Sequence, residues 1–211
     1  PAEAELHLTD LMERRCRQRL PVAYCLQEAY LAGLRFIADA RALVPRSPVS
    51  HLLADRLVPW WPSGRAPDVV VDVCCGGGSL GLIAAEAFPD ATVILSDLDL
   101  QALSLAAENI ALHGRSDNVY TLRADLLSAI RSGSADIVLA NPPYVSRAEM
   151  AELPPEYCVE PQIALEADAE GTELAVGLLR EAVRVLAGDG LMLLEVGETW
   201  MALEERLPKV P

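Results

Sequence analysis

The sequence predicts an α/β protein with a doubly wound, mostly parallel sheet and a small helix-and-hairpin region at its N-terminus. From residue 69 onward, short apolar runs alternate with helical patterns. Strands this uniformly apolar are typical of a parallel sheet covered by helices on both faces. The chain has 211 residues, 52% apolar and 23% charged, which suits one substantial domain with a small appendage.

Residues 1–45 are expected to form an accessory region, part of a larger substrate-recognition region. Apolar residues at spacings of three and four predict an amphipathic helix over residues 3–20, and Pro21 is expected to end it. Residues 30–44 show the pattern of a hairpin. A second helix is predicted in RSPVSHLLADRL, and the connector PWWPSGRAPD then leads into the first strand of the main domain, residues 46–211.

The main domain is predicted to contain five strands, at residues 69–74, 92–96, 118–122, 135–140 and 191–196. Helices are expected near residues 79–88, 99–113 and 171–187, with a short helical piece after residue 122 and a last helix after residue 196. Gly188-Asp189-Gly190 predicts a turn before the fifth strand.

The net charge of −14, from 31 acidic and 17 basic residues, disfavours direct nucleic-acid binding, because the chain would repel a phosphate backbone. The same field attracts a basic protein or peptide, which is the partner that we expect. No apolar run reaches the roughly eighteen residues that span a bilayer, so no membrane segment is predicted. The sequence does not define an oligomeric state.

Five cysteines and three histidines are present, without a CxxC pair. This pattern supports neither a disulfide framework nor a metal site, and it favours a reducing cytoplasm as the location. Cys74 and Cys75 are expected to be small buried residues rather than nucleophiles.

A glycine-rich motif, DVCCGGGSLG, follows the first strand of the main domain. Gly76 and Gly78 allow the backbone to pass close to a ligand, and the next helix directs its first amides at the same place. Residues 76–81 also satisfy the GxGxxG dinucleotide pattern, so the motif alone leaves the cofactor open.

Two carboxylates follow the next two strands. Asp97 can accept hydrogen bonds from the two ribose hydroxyls of an adenosine cofactor, and Asp125 can reach the adenine amino group. The alternative for Asp97, or for Asp99 beside it, is a helix N-cap, and Asp125 has the same alternative.

The stretch LANPPYV follows the strand at residues 135–140 and ends it, because proline lacks a backbone donor. The side-chain oxygen of Asn141 and the carbonyl of Pro142 can together accept both hydrogens of a planar NH2 group and aim its nitrogen at a methyl donor. Pro143 stiffens the loop, and Tyr144 can stack on the planar group. Hydride transfer has no use for such a loop.

These motifs resemble the HemK family of class I S-adenosylmethionine-dependent methyltransferases, which have a Rossmann-like fold and methylate the side-chain amide of a protein glutamine. The likeness lies in Asp72-x-Cys74-x-Gly76-x-Gly78, Asp97 and Asn141-Pro142-Pro143-Tyr144. Five further stretches are similar to the PrmB branch, which acts on a large-subunit ribosomal protein: RLPVAY, LVPRSP, LPPEY, EPQIAL and LEVG. The sister branch, PrmC, acts on release factors. The family continues into two more strands, so we expect residues 46–211 to lack the last strands of its domain.

The resemblance implies a role for each site residue. S-adenosylmethionine would be held at Asp72, Cys74, Gly76, Gly78, Asp97, Leu98, Asp125, Leu126 and Asn141. Asn141 and Pro142 would hold the glutamine amide with Pro143 and Tyr144 beside it, and Arg46 and Glu160 would shape this part of the site. No metal is implied. Cys158-Val159 stands where PrmB proteins tend to carry basic or aromatic residues, which leaves the identity of the protein substrate open.

Three other functions fit parts of the pattern. An adenine amino-group methyltransferase acting on DNA or RNA presents the same NH2 geometry to NPPY, although the acidic charge opposes it. A nicotinamide-dependent oxidoreductase would use the GGGSLG loop. A catalytically silent adenosine-binding module would need only the glycines and Asp97.

Overall fold

The computed structural model describes residues 2–62, 65–167 and 171–207. Ser63 and Gly64 of the predicted connector, and the last residues of the chain after Leu207, lie outside the described residues.

The N-terminal part contains a helix and a hairpin, as predicted, but their bounds differ: the helix ends at Cys16 rather than at Pro21, and the hairpin spans residues 28–37 rather than 30–44. Helix α1 (Ala2–Cys16) is followed by a short helix α2 (Val22–Leu26). Strands β1 (Glu28–Leu31) and β2 (Leu34–Ile37) pair antiparallel, and α3 (Val49–Ala54) leads towards the connector. Helix α2 was not predicted: Pro21 starts it as the N-cap and accepts hydrogen bonds from the amides of its first turn.

Five strands form the predicted parallel sheet, with the order β5-β4-β3-β6-β7. Their bounds are β3 (Val69–Val73), β4 (Thr92–Asp97), β5 (Val119–Arg123), β6 (Ala135–Ala140) and β7 (Leu186–Leu194). Every neighbouring pair is parallel. The chain starts at β3 in the centre, adds β4 and β5 on one side, and then crosses to add β6 and β7 on the other. The point of reversal is between β3 and β6, where sheets of this kind bind ligands.

Helices cover both faces of the sheet. Successive β3 side chains point to opposite faces, so neighbouring β3 residues pack against different helices. Val70 packs in one apolar cluster with residues of α4 (Ser79–Ala87) and α5 (Leu100–Leu112), whereas Val71 packs in another with residues of α7 (Glu173–Val185). Both valines are fully buried, and each such side chain contributes about 1.5–3 kcal/mol of hydrophobic free energy. The predicted last helix is α8 (Trp200–Arg206).

Two expectations for the main domain are wrong. Gly188-Asp189-Gly190 is not a turn before the strand but a bulge inside β7, whose pairing shifts between Ala135 opposite Leu186 and Ile137 opposite Leu191. Residues 125–130 form turns instead of a short helix, because the amides of this segment reach back only three residues.

Among the described residues between β6 and α7, the elements are short. They are helix α6 (Arg147–Met150) and the 3₁₀ turns Pro155–Val159 and Gln162–Ala164. Ser146 starts α6 with a reciprocal capping box to Glu149, which fixes the direction of the chain after Tyr144. Over the described residues, no helix combines the length and apolarity that a membrane span requires.

Candidate functional site

A cavity of about 320 Å³ opens at the carboxyl ends of the central strands. Its lining includes twelve of the fourteen residues that the sequence singled out: Arg46, Asp72, Cys74, Gly76, Asp97, Leu98, Asp125, Leu126, Asn141, Pro142, Pro143 and Tyr144. Gly78 and Glu160 lie behind this wall. Segments far apart in sequence therefore meet at the reversal point of the sheet.

The glycine motif forms the turn between β3 and α4. Gly76 has φ +54 and Gly78 has φ +79, a region that favours glycine. A Cβ on Gly78 would lie 2.7 Å from Leu95 Cδ1, so this glycine allows the start of α4 to pack on β4. Cys74 adopts φ +57 although it has a side chain, and such strained residues cluster at ligand sites.

Cys75 is buried, as expected, whereas Cys74 is only partly buried. Burial raises the pKa of each thiol. The pKa of Cys74 rises to about 12. A thiol with a raised pKa is a poor nucleophile at neutral pH. Neither cysteine is therefore expected to act as a nucleophile in this cavity.

Asp97 ends β4 and is held by backbone amides. Its Oδ2 accepts from the Gly76 amide at 2.9 Å, and its Oδ1 accepts from the Asp99 amide at 2.9 Å. Burial raises the pKa of Asp97, and these amides act in the opposite direction. The N-cap of α5 is Asp99, which accepts from the Gln101 amide. Asp97 is therefore not the helix cap, and it lines the cavity.

Asp72 lies deeper and fixes the start of α4. It is 1% exposed, and its Oδ2 accepts from the Gly81 amide at 2.8 Å. The pKa of Asp72 is raised to about 7. Burial is the main cause, the charge of the nearby Asp97 acts in the same direction, and the hydrogen bond from the Gly81 amide opposes both. A Cβ on Gly81 would lie 2.1 Å from Leu95 Cδ2, so only glycine allows this approach of helix and strand.

The other end of the cavity combines apolar and carboxylate groups. Leu98 and Leu126 line it together with Asp125. Leu126 has φ +48, and the next amide, Leu127 N, donates to Glu181 of α7. Asp125 caps no helix, and its carboxylate accepts no hydrogen bond from any residue in the described ranges.

The Asn-Pro-Pro-Tyr loop leaves its polar groups available to a ligand. The Glu195 amide donates to the Ala140 carbonyl at 2.9 Å, which anchors the end of β6. Beyond this point, neither the Asn141 side chain nor the Pro142 carbonyl has a hydrogen-bond partner within residues 2–62, 65–167 and 171–207. Both residues line the cavity, so these oxygen atoms are available as hydrogen-bond acceptors.

The segment after β2 also lines the cavity, at residues 41–47. Arg46 donates to Glu160 Oε1 at 2.7 Å, and Val44 N donates to Glu160 Oε2 at 3.1 Å. The Arg46 guanidinium also lies 5.0 Å from the centre of the Tyr157 ring. Glu160 is 7% exposed, so it contacts the wall from behind and holds Arg46 in place.

Ser47 and Glu195 are among the polar lining residues that sequence reasoning missed. The Ser47 hydroxyl donates to Glu195 Oε2 at 2.5 Å. Their motifs, LVPRSP and LEVG, carried part of the family resemblance, but this contact spans 148 positions and no local pattern shows it. In the part of the chain that the structure describes, no group of three His, Cys, Asp or Glu residues could hold a metal ion.

The chain is similar to curated methyltransferases over nearly its whole length. Ribosomal protein uL3 glutamine methyltransferase of Bordetella pertussis is 40% identical over 199 residues, which are 94% of this chain and 67% of that protein. The proteins of the same name from Xanthomonas campestris pv. campestris and Francisella tularensis subsp. tularensis are 41% and 34% identical, with 64% and 65% of their lengths covered. The chain thus spans about two thirds of the length of these relatives.

Solved structures share the fold at low sequence identity. The catalytic domain of hMettl16, in complex with the MAT2A 3'UTR hairpin 6, has a TM-score of 0.62 and 13% identity, and covers 97% of this chain and 73% of that chain. The ribosomal protein L11 methylase of Lactobacillus delbrueckii subsp. bulgaricus has a TM-score of 0.52 and 19% identity, with 76% and 66% covered. The class I methyltransferase fold expected from the sequence is confirmed.

Residues 49–154 match the methyltransferase small domain family. This range runs from α3 through the glycine motif and Asp97 to the loop after β6, and it contains most of the residues that line the cavity. The curated relatives agree with the resemblance to the PrmB branch. The chain therefore belongs to the methyltransferase small domain family, together with the proteins named ribosomal protein uL3 glutamine methyltransferase.

Proposed function

We propose that this chain transfers a methyl group from S-adenosylmethionine to the side-chain amide nitrogen of a glutamine in a basic protein, a ribosomal protein. The observation that carries the proposal is the pair of free acceptors at Asn141 and Pro142, which line the same cavity as the glycine turn and Asp97. The curated relatives, which act by name on ribosomal protein uL3, support the substrate class.

The residues of the cavity fit S-adenosylmethionine. The turn at Gly76 lets the backbone approach the ligand, and Cys74 belongs to the same turn. The Asp97 carboxylate can accept from both ribose hydroxyls. Leu98 and Leu126 offer apolar surface to the adenine ring, and Asp125 can accept from its amino group. Asp72, which lines the cavity, and Gly78, which lies behind its wall, fix the start of α4.

The acceptor amide would be oriented by the loop after β6. An amide nitrogen is a weak nucleophile, because its lone pair is delocalised. Asn141 Oδ1 and the Pro142 carbonyl can accept its two hydrogens, which aligns the nitrogen for in-line attack. S-adenosylmethionine supplies an electrophilic methyl group on a sulfonium. Because Pro142 and Pro143 hold the loop rigid, the acceptors need no reorganisation during the reaction.

We assign recognition of the protein substrate to the part of the site that contains Arg46 and Tyr144. Arg46, fixed by Glu160, and Tyr144 border the place where the glutamine would enter. The net charge of −14 favours a basic partner. A release factor is the alternative protein substrate, and the cytoplasm, where ribosomal proteins are made, is the proposed location.

An adenine amino group on RNA or DNA is the rival acceptor, and the fold does not separate the two. The hMettl16 catalytic domain, solved with an RNA hairpin, shares this fold, but at 13% identity the likeness shows the fold alone. The acidic charge of this chain opposes a phosphate backbone.

The test is transfer of labelled methyl groups from S-adenosylmethionine into ribosomal proteins, release factors, DNA and transfer RNA in parallel. Label in a ribosomal protein is the expected result. Label in nucleic acid would replace the proposal with the adenine rival. Tight binding of NAD with no affinity for S-adenosylmethionine, measured by calorimetry, would favour an oxidoreductase, and adenosine binding without any transfer would favour a silent binding module.

A further inference from the structure

Glu195 contacts two of the segments that line the cavity. It follows β7, lines the cavity, and donates its amide to the Ala140 carbonyl, the residue before Asn141, at 2.9 Å. Its Oε2 accepts from the Ser47 hydroxyl at 2.5 Å and its Oε1 from the Tyr144 hydroxyl at 3.4 Å. One carboxylate therefore contacts both the loop after β6 and the segment after β2.

The Ser47 side of this arrangement is fixed. Ser47 is 5% exposed, and its Oγ accepts from the Val49 amide at the start of α3. A hydroxyl has one proton, and here it is directed at Glu195. A hydrogen bond to a carboxylate in a partly buried place is stronger than one between neutral groups, so Ser47 holds Glu195 in a defined orientation.

The Tyr144 side is shaped by the turn that follows Glu195. A Cβ on Gly197 would lie 2.7 Å from Cε2 and 2.9 Å from Cδ2 of the Tyr144 ring, and Gly197 has φ +53. A Cβ on Gly171 would lie 2.6 Å from the Tyr144 carbonyl oxygen. The Tyr144 ring thus packs against Gly197 and its carbonyl group against Gly171, while Glu195 contacts its hydroxyl.

We propose that Glu195 is a positioning residue, which holds Tyr144 beside the acceptor amide and connects that loop through Ser47 to the segment after β2. Glu195 itself need not touch the substrate. The inference rests on the proposed function, since Tyr144 matters only if a planar amide enters the cavity. Loss of Glu195 would leave Asn141 and the cofactor residues intact but would free the Tyr144 ring.

The kinetic test uses Glu195→Gln, which keeps the shape of the side chain and removes its charge. Turnover should fall about tenfold with an unchanged Kd for S-adenosylmethionine. Glu198→Gln, at an exposed position of the same turn, is the matched control and should keep wild-type turnover. Combining Glu195→Gln with Tyr144→Phe should cost no more than the larger single loss, because both changes break one arrangement. Multiplied losses would overturn the proposal.

A second readout does not depend on activity. In ¹³C-tyrosine-labelled full chain, the Tyr144 signal is assigned by its loss in Tyr144→Phe, and its pKa is followed by NMR. Burial raises this pKa, Glu195 and Tyr157 raise it further, and Arg46 lowers it.

Glu195→Gln should lower the pKa of Tyr144, whereas Glu198→Gln should leave it unchanged; an unmoved Tyr144 pKa in Glu195→Gln overturns the contact. Ser47→Ala, a milder change, should reduce turnover less than Glu195→Gln, and equal turnover to wild type would remove Ser47 from the arrangement. If wild type transfers no methyl group, the proposed function fails, while the titration still decides the Glu195–Tyr144 contact.

Discussion

Individual residues at this site divide into those that contact a ligand and those that hold the contacting groups. Asp97, Asn141 and the Pro142 carbonyl present acceptors to the cavity. Asp72 also lines the cavity but is almost fully buried, and Glu160 is buried behind the wall. The Asp72 carboxylate accepts from the Gly81 amide, and the Glu160 carboxylate is paired with Arg46.

Asp97→Ala is expected to weaken S-adenosylmethionine binding at least tenfold and to leave the fold intact. Two charge-assisted hydrogen bonds would be lost, at about 1.5 kcal/mol or more each. Calorimetry gives the Kd and circular dichroism the fold. Asp90→Ala, at an exposed position before β4, removes the same charge and should not change the Kd. Equal affinities for the two variants would rule out the ribose assignment.

Asn141→Ala is expected to abolish methyl transfer with little change in cofactor affinity, because its amide faces the acceptor. Removing one such group usually costs on the order of a hundredfold in the chemical step. Single-turnover kinetics at saturating substrate measures this step. Turnover above about a tenth of the wild-type rate would contradict the positioning role.

Asp72 gives the fold a defined pH dependence. Its pKa is 3.8 as a free group and about 7 in the fold. A raised carboxyl pKa means that the folded state binds the proton more tightly, so this contribution to stability is complete below pH 3.8 and is lost as pH rises through about 7. Asp72→Asn keeps an acceptor for the Gly81 amide without the titration.

Urea unfolding should therefore show that Asp72→Asn is more stable than wild type at pH 8 by more than about 1 kcal/mol, with a smaller difference at pH 5. Asp90→Asn, which alters an exposed carboxylate, is the control for net charge. A constant difference between pH 5 and pH 8 would show that Asp72 does not titrate in this range.

At the scale of elements, the packing of α4 on the sheet depends on Gly81 as well as on Gly78. Gly81→Ala would place a Cβ 2.1 Å from Leu95 Cδ2, and such overpacking costs about 1–3 kcal/mol. The same change in α7, Gly177→Ala, meets nothing nearer than 4.0 Å and should stabilise the helix by about 0.5–1 kcal/mol. Thermal unfolding of both variants tests the contrast, and a stabilised Gly81→Ala would refute the close contact of α4 with β4.

The sequence allowed the strands to be placed because their apolar runs are short and bounded: the predicted ranges for β3 to β6 agree with the structure within about two residues. It failed where tertiary contacts decide. The bulge at residues 188–190 follows from pairing with β6, and the turns after β5 are held by Glu181 and Arg184 of α7. Neither the pairing with β6 nor the contacts with α7 can be predicted from the local sequence pattern.

The same reasoning applies to the site. Residues at strand ends could be predicted, because the carboxyl ends of parallel strands meet at one edge of the sheet. The strand order was not predicted, and Glu195 escaped notice because its role arises from Ser47 and Tyr144, which come from other elements. The division of the chain at residue 45 stays a prediction.

At the scale of the whole molecule, the charge of −14 predicts how a basic protein substrate is found. Attraction between opposite surfaces mainly speeds encounter, so methylation of a full-length basic protein should slow as salt rises beyond physiological strength, where the Debye length is about 8 Å. A short neutral glutamine peptide is the control and should show little dependence. Equal salt dependence for both substrates would show that long-range charge has no part in recognition.

The most direct test of the account is tandem mass spectrometry of a ribosomal protein fraction incubated with the purified chain and isotopically labelled S-adenosylmethionine. The account predicts one labelled methyl group on the side-chain amide nitrogen of a glutamine, present with wild type and with Asp90→Ala and absent with Asn141→Ala. A labelled methyl group on any other side chain, or an equal yield of methylglutamine with Asn141→Ala, would contradict the claim that the loop after β6 holds a glutamine amide for methyl transfer.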